Sequence, residues 1–172
     1  MSADKITREN QKPDCEYYSK LVELLGNKIL DDDKTIDRGK FAKIIFYNDE
    51  IREKVNILTF ECVQKELDRI LDKNKEKDFI ILNFPLLYEG NFDKICDYVI
   101  AVVADEDSKI DRIMLRDMIS KDDAKQRISI QKPEEFYKEN ADFIIDNSGK
   151  TNYLDLINST KLVLKEINEK GK

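Results

Sequence analysis

Two uninterrupted runs of apolar residues constrain the fold of this chain more than any other feature. The runs are DFIILNFPLL at 78–87 and YVIAVVAD at 98–105. Because each lies between segments with helical spacing, both are typical of buried parallel strands. A shorter run, ADFIIDN at 141–147, predicts a third strand. Strands that alternate with helices favour an α/β fold with a mostly parallel sheet.

Helical periodicity covers most of the remaining chain, which has only five glycines and three prolines to interrupt it. From Pro13 onward, apolar residues recur at helical spacing up to Leu25, and Gly26 then stops the helix. Asn48 or Asp49 is an N-cap for a long helix that ends near Asp72. Shorter helices are predicted at 38–47, 108–118, 120–131 and 151–169, and a loop at 27–37.

Length and charge limit the partners of this chain. Its 172 residues are enough for one domain, and 41% are hydrophobic. The net charge of −6 argues against a nucleic-acid partner, since such proteins carry a basic surface. Every apolar run is far shorter than the roughly 20 residues that cross a bilayer. We therefore expect a cytoplasmic protein with no membrane partner.

The absence of histidine restricts the chemistry. Imidazole bases, Ser-His-Asp triads and His-ligated metals are all excluded. The three cysteines, Cys15, Cys62 and Cys96, are scattered and are expected to be free thiols in a reducing compartment. A catalytic base must therefore be a carboxylate, a lysine or, less favourably, a thiolate.

Polar residues follow each predicted strand, at 83–89, 104–107 and 146–149. Ligands of parallel α/β sheets bind beyond the carboxyl ends of the strands. These three segments are therefore where function is expected.

Four segments, in this order, resemble the dephospho-coenzyme A kinase family of the P-loop kinase superfamily. They are ADKITRE at 3–9, IDRGKFAKIIFYND at 36–49, FPLLYEG at 84–90 and a long run from Arg112 to Gly149. The resemblance covers nearly the whole chain. It implies one domain over 1–172 with a three-layer P-loop-kinase-like fold, a mostly parallel sheet and a small helical lid at about 112–140.

The family transfers the γ-phosphoryl group of ATP, with Mg²⁺, to the ribose 3′-hydroxyl of dephospho-coenzyme A. By resemblance, Asp4 is the catalytic carboxylate. The residues implied in substrate binding are Arg8, Pro85, Leu86 and Glu89. The alternative for Asp4 and Arg8, which are spaced i, i+4, is a weak surface ion pair. For Glu89 it is an ordinary surface acid.

The resemblance also implies residues that bind the nucleotide: Arg112, Arg116, Arg127, Asn147 and Gly149. Arginine suits phosphate because its planar fork directs two donors at the oxygens. Because seven acids surround these arginines, a solvated mixed-charge helix face is the alternative. For Asn147 and Gly149 the alternative is an ordinary turn. No protein metal site is predicted beyond the Mg²⁺ that accompanies ATP.

The chain departs from the family at its start. The family's first strand and glycine-rich phosphate loop come before the segment that resembles 3–9. The only Gly-Lys-Thr here is at 149–151, and Ile144 stands where that motif needs glycine. We therefore expect the first strand and the phosphate loop to be missing, and ATP as a ligand is in question. An incomplete product, completion by another polypeptide or a remnant without ATP binding would each explain this.

A missing central strand would leave two strand edges exposed, which predicts a homodimer through those edges. Smaller departures are Ser2 for the family's first acid, Asn83 for an acid, and Phe60 and Glu61 where the family has His-Pro. The predicted function is phosphorylation of dephospho-coenzyme A in coenzyme A biosynthesis. The alternative is an inactive relative that binds dephospho-coenzyme A or a partner chain without ATP turnover.

Overall fold

The computed structural model describes residues 1–149 and 151–170, which group into two compact units, 1–92 and 93–172. The single domain predicted over 1–172 stays a prediction. The helices of the first unit are α1 (Ala3–Asn10), α2 (Glu16–Leu25), α3 (Arg38–Phe46) and α4 (Asp49–Lys73). The second unit contains β1 (Ile100–Val103), α5 (Glu106–Asp117), α6 (Lys121–Ser129), α7 (Glu134–Asn140), β2 (Phe143–Asp146) and α8 (Tyr153–Lys170).

The long helix α4 organises the first unit, because α1, α2 and α3 all pack on it. Its first turn is capped by Asn48, whose side chain accepts a hydrogen bond from the Ile51 N–H at 3.0 Å. Leu21 of α2 and Val63 of α4 are completely buried at the centre. The predicted long helix is thus confirmed almost to the residue, since a capped start and a continuous apolar face leave little choice of boundary.

The predicted buried strand at 78–87 is wrong. Only Asn83 forms a bridge, a parallel one with Ser2, and residues 85–90 are turns. Phe79 and Ile81 are 70% and 56% exposed. An apolar run is buried as a strand only when neighbours cover it on its faces and edges. In the described part of the chain, this run pairs with nothing except the amino-terminal residues.

The second unit is built on a small parallel sheet, as the apolar runs predicted. β1 pairs with β2 from Ile100 opposite Phe143 to Val103 opposite Asp146. Three helices, α5 to α7, connect the two strands, and α7 was not predicted. Burial alternates along the strands, so Val102 is 62% exposed and Ile144 is 37% exposed. Only one face of this sheet is therefore covered, against the expectation of continuous burial.

The outer edges of β1 and β2 have no further strand partner within residues 1–149 and 151–170. The homodimer through such edges stays a prediction. Across the same residues, no helix combines the length and the apolar character that a bilayer crossing would require.

Met118 ends α5 in the left-handed conformation, with φ 53° and ψ 45°, and is 86% exposed. A side chain in that conformation costs free energy that glycine avoids. Replacing Met118 with glycine should raise the free energy of unfolding by about 0.5 kcal/mol, measured by urea denaturation. Met118→Ala keeps the Cβ atom and should give no gain. A glycine variant that is no more stable than the alanine variant would show that the left-handed conformation of Met118 costs no free energy.

Candidate functional site

Main-chain hydrogen bonds attach the amino terminus to the segment that ends at Asn83. The amino group of Met1 donates to the Ile81 carbonyl at 2.6 Å. The Asn83 N–H donates to the Met1 carbonyl at 2.8 Å, and the Ala3 N–H donates to the Asn83 carbonyl at 3.0 Å. The two segments run parallel. Helix α1 therefore begins where the segment 81–83 ends, beside the turns at 85–90.

This pairing decides where Asp4 and Arg8 lie. Asp4 is exposed in the first turn of α1, where the positive end of the helix dipole favours a carboxylate. Within the described residues, no ion pair or hydrogen bond engages either the Asp4 carboxylate or the Arg8 guanidinium. The i, i+4 ion pair that does form on α1 joins Lys5 and Glu9, at 3.9 Å. The alternative of an Asp4–Arg8 surface pair is thus not realised.

The turns at 85–90 carry the other residues predicted to bind the acceptor substrate. Pro85 is exposed and Leu86 is partly buried. The Oε2 atom of Glu89 is buried and has no hydrogen-bond partner in the described part of the chain. A buried carboxylate oxygen without a donor is costly, so it is a ready acceptor for a donor group of a ligand. This burial does not fit the alternative of an ordinary surface acid.

Three aromatic rings pack next to these turns. The rings of Phe60, Phe84 and Phe92 meet edge to face, with centroids 5.0 to 6.3 Å apart. A Cβ atom at Gly90 would lie 2.6 Å from the Phe92 ring, so only glycine allows this approach. Phe60, one of the departures from the family pattern, therefore has a packing role here.

In the second unit, a cavity of about 290 Å³ lies beside the end of β1. Its polar lining includes Lys109, Arg112 and Asn147, and its apolar lining includes Val102, Ile113 and Ile128. Lys109 pairs with Glu134 at 3.6 Å. No described residue makes a hydrogen bond or an ion pair with the Arg112 guanidinium. The structure thus brings two predicted residues, Arg112 and Asn147, to one cavity and adds Lys109.

Arg116 and Arg127 meet on a carboxylate that sequence reasoning had only counted among the surrounding acids. Arg116 donates through Nε and Nη2 to the two oxygens of Asp117, each at 2.8 Å. Arg127 Nη1 donates to Oδ2 of the same group. The Arg116 hydrogen bonds and the charges of both arginines lower the pKa of Asp117. The mixed-charge face offered as an alternative is therefore present, as one organised cluster.

Gly149 belongs to a hydrogen-bond network that ties the ends of β1 and β2 together. Its N–H donates to Ser108 Oγ at 2.7 Å and to Asp105 Oδ2 at 3.1 Å. Ser148 Oγ accepts from the Asp105 N–H at 3.0 Å. The Gly149 N–H is therefore engaged within the protein, and its nucleotide-binding role stays a prediction. Lys150, next to it, lies outside the described residues.

Sequence reasoning missed Asp105, the centre of this network. Its carboxylate accepts from the Ser108 hydroxyl at 2.7 Å and from the Ser108 N–H at 2.8 Å. These bonds, with that from Gly149, hold the pKa of Asp105 well below its ordinary value. The sequence does contain a signal for this helix cap. Asp105 ends the apolar run at 98–105 and stands three residues before Ser108, which is the spacing of an N-cap and the N–H group that it accepts from.

An arginine and a lysine beside a cavity at the carboxyl end of a parallel strand are a suitable arrangement for binding a phosphate group. A family model described as CoaE, dephospho-CoA kinase, matches residues 1–152. The dephospho-CoA kinase of Halalkalibacterium halodurans is 32% identical over 171 residues, which cover 95% of this chain and 85% of that protein. The dephospho-CoA kinase of Carboxydothermus hydrogenoformans is 35% identical over 151 residues, covering 87% and 73%.

Solved structures agree on the mixed α/β fold. TT1252 from Thermus thermophilus matches 97% of this chain and 83% of its own, with a TM-score of 0.77 and 23% identity, and this match supports the fold alone. The dephospho-CoA kinase from Campylobacter jejuni matches 100% of this chain and 86% of its own, with a TM-score of 0.65 and 27% identity.

This chain belongs to the dephospho-CoA kinase family. Its function is therefore dephospho-CoA kinase-like, that of a nucleotide-binding transferase of coenzyme A biosynthesis. The relatives named above do not favour the alternative of a binding protein without ATP turnover. The roles assigned to individual residues from the sequence stay predictions, and the structure gives the positions of those residues.

The Asp105 network makes stability depend on pH. Because the pKa of Asp105 is lower in the folded state than the ~3.9 of an unfolded chain, its stabilising effect is present above about pH 4. It is lost as the pH falls further and the carboxylate is protonated. Asp105→Asn should lower the free energy of unfolding at pH 7 and reduce the additional loss between pH 4 and pH 2.5.

Urea denaturation monitored by circular dichroism at several pH values measures both effects. Asp107→Asn removes the same charge from the same helical turn without touching the network, and should leave the acid dependence close to that of the wild type. Equal acid dependence in the wild type and the Asp105 variant would show that the network does not stabilise the fold.

Proposed function

We propose that the chain binds dephospho-coenzyme A through α1 and the turns at 85–90 and binds the phosphates of ATP through its arginines. The reaction is transfer of the γ-phosphoryl group to the ribose 3′-hydroxyl. We further propose that the fold is the three-layer P-loop-kinase type, with a helical lid at about 112–140.

The observation that carries this proposal is the parallel pairing of residues 1–3 with 81–83. It puts the exposed Asp4 carboxylate, which has no ion-pair or hydrogen-bond partner among the described residues, at the carboxyl end of an extended segment. Ligands of α/β proteins bind at such ends. The free Arg8 guanidinium lies one helical turn further on, and the buried oxygen of Glu89 lies in the turns that follow Asn83.

In the proposed reaction, the Asp4 carboxylate accepts the proton of the 3′-hydroxyl as its oxygen bonds to phosphorus. The γ-phosphoryl group leaves the bridging oxygen, and ADP carries away the electron pair of the broken bond. Asp4 suits this role because nothing in the described part of the chain occupies its carboxylate. Arg8 would hold an anionic group of the acceptor substrate, and Glu89 would accept a hydrogen bond from one of its donors.

Phosphoryl transfer depends on neutralising charge on the phosphate oxygens. Among the described residues, we assign this role to cationic groups of the second unit. Arg112 and Lys109 would bind phosphate at the cavity that Asn147 also lines. Van der Waals contact with Ile113 and Ile128 would suit an apolar face such as a purine ring.

Mg²⁺ accompanies ATP in this family. Among the described residues, no three carboxylates or thiolates cluster closely enough to hold a metal ion by themselves. Mg²⁺ would therefore bind mainly through the phosphates of ATP, with at most one or two carboxylates. Asn83 and Ser2 are consistent with this, since each is neutral where the family pattern has an acid.

Thermal unfolding of the wild-type chain tests acceptor binding. Saturating dephospho-coenzyme A should raise the melting temperature by several degrees, because a ligand that binds only the folded state stabilises it. Arg8→Gln should remove most of this shift. Lys5→Gln, a matched loss of one positive charge on α1, should keep it. An unchanged melting temperature for the wild type would contradict the acceptor site.

Asp4→Asn tests the catalytic step. Removing a general base should lower the rate of coenzyme A formation from ATP by about 10²–10⁴-fold. The affinity for dephospho-coenzyme A should change little, since the amide retains the size and most of the polarity of the carboxylate. Mass spectrometry of the 3′-phosphorylated product gives the rate. Glu9→Gln, the matched loss of an acid on α1, should retain the wild-type rate.

Two results would contradict this prediction. Absence of product from the wild-type chain would contradict transfer by this chain, and the thermal shift would still report on the acceptor site. A wild-type rate in the Asp4 variant would contradict the assignment of Asp4 as the base.

A further inference from the structure

The cluster around Asp117 joins two cations that are far apart in the sequence. Arg116 is the last arginine of α5, and Arg127 lies in α6. One carboxylate accepts hydrogen bonds from three N–H groups of these two side chains. Two guanidinium groups repel each other at close range, so an anion between them is needed to hold this arrangement.

The position of Asp117 is unfavourable in itself. It is the last residue of α5, where the negative end of the helix dipole disfavours a carboxylate. The two arginines offset this repulsion, and the pKa of Asp117 is lowered as a result. The arginines therefore stabilise the charged form of Asp117, and an anion at this point is needed to keep the two guanidinium groups close together.

The two arginine side chains differ in their exposure to solvent. The Arg116 side chain is 72% exposed, whereas that of Arg127 is 25% exposed. Solvent therefore reaches the Arg116 guanidinium, whereas the surrounding side chains largely cover that of Arg127. A phosphate group offers the same two-oxygen geometry to a guanidinium as a carboxylate does, with more negative charge. It can replace Asp117 in such a cluster, so that the guanidinium groups keep an acceptor while the Asp117 carboxylate is released to solvent.

We propose that the Asp117 carboxylate takes the place of a phosphate oxyanion in the free protein. It binds Arg116 and Arg127 until a polyphosphate ligand displaces it. Asp117 thus lowers the affinity of the chain for polyphosphate and keeps the two arginines together in its absence. The inference rests on the proposed function in that it takes these arginines to be phosphate ligands. It concerns only the second unit and is independent of Asp4 and of the acceptor.

A different role for Asp117 predicts the opposite result. If the carboxylate only positioned the arginines for the ligand, or only stabilised the junction of α5 and α6, its removal would weaken polyphosphate binding or leave it unchanged. A carboxylate that competes with the ligand must strengthen binding when it is removed. The sign of the change therefore separates the two roles.

Isothermal titration of the full chain with inorganic tripolyphosphate at low ionic strength measures this sign. Asp117→Asn should bind tripolyphosphate about three- to tenfold more tightly than the wild type, as expected for the loss of one competing, partly exposed charge. Asp111→Asn, the matched loss of an acid on α5 outside the cluster, should change the affinity by less than twofold. In an Arg116→Gln/Arg127→Gln background, Asp117→Asn should have no effect.

Circular dichroism and the melting temperature of each variant establish that it is folded. A second measurement uses the wild type alone. The side-chain Nε–H signals of Arg116 and Arg127 and the carboxyl carbon signal of Asp117 should all shift in NMR spectra as tripolyphosphate is added, because the ligand exchanges one anion for another. This measurement holds even if Asp117→Asn does not fold.

Tighter binding by Asp117→Asn that disappears in the double-arginine background would establish the proposal. Weaker or equal binding by the folded variant, no binding of tripolyphosphate to the wild type, or unshifted signals for all three side chains would each overturn it. Failure of the proposed function has a different signature, since loss of the dephospho-coenzyme A thermal shift leaves these tripolyphosphate results untouched.

Discussion

The main-chain pairing between residues 1–3 and 81–83 is the interaction on which the candidate acceptor site depends. Peptide hydrogen bonds are directional, so the two between Asn83 and residues Met1 and Ala3 fix both the register and the direction of the chain that enters α1. Without them, the run that contains Phe79 and Ile81 would have no main-chain pairing with another segment of the described residues. Helix α1 would then lose the contacts that fix the position of Asp4 beside the turns at 85–90.

Carboxylates organise the second unit in a comparable way. Asp105 binds the loop after β2 to the start of α5, and Asp117 binds α6 to the end of the same helix. Both have lowered pKa values because they accept several hydrogen bonds or face cations. One helix thus has a capping carboxylate at its favourable end and, at its unfavourable end, a carboxylate that only the arginines offset.

Much of the fold follows from local rules that act within one element. The boundaries of α4 and the end of α2 at Gly26 came from caps, apolar spacing and a glycine in the left-handed region. Four segments in the correct order were enough to identify the dephospho-CoA kinase family from the sequence. The strand at 78–87 failed as a prediction because burial depends on what covers a segment, and the segment itself does not contain that information.

The amino-acid sequence by itself determined most of the helices, the two parallel strands, the lack of imidazole chemistry and the family, since these depend on residue type, spacing and order. Only the tertiary structure decided which charges meet. It left Asp4 unpaired, buried an oxygen of Glu89, joined Arg116 and Arg127 on Asp117, and engaged the N–H of Gly149. Those outcomes depend on distances of a few ångströms between residues far apart in the chain, and Coulomb and hydrogen-bond energies change steeply over such distances.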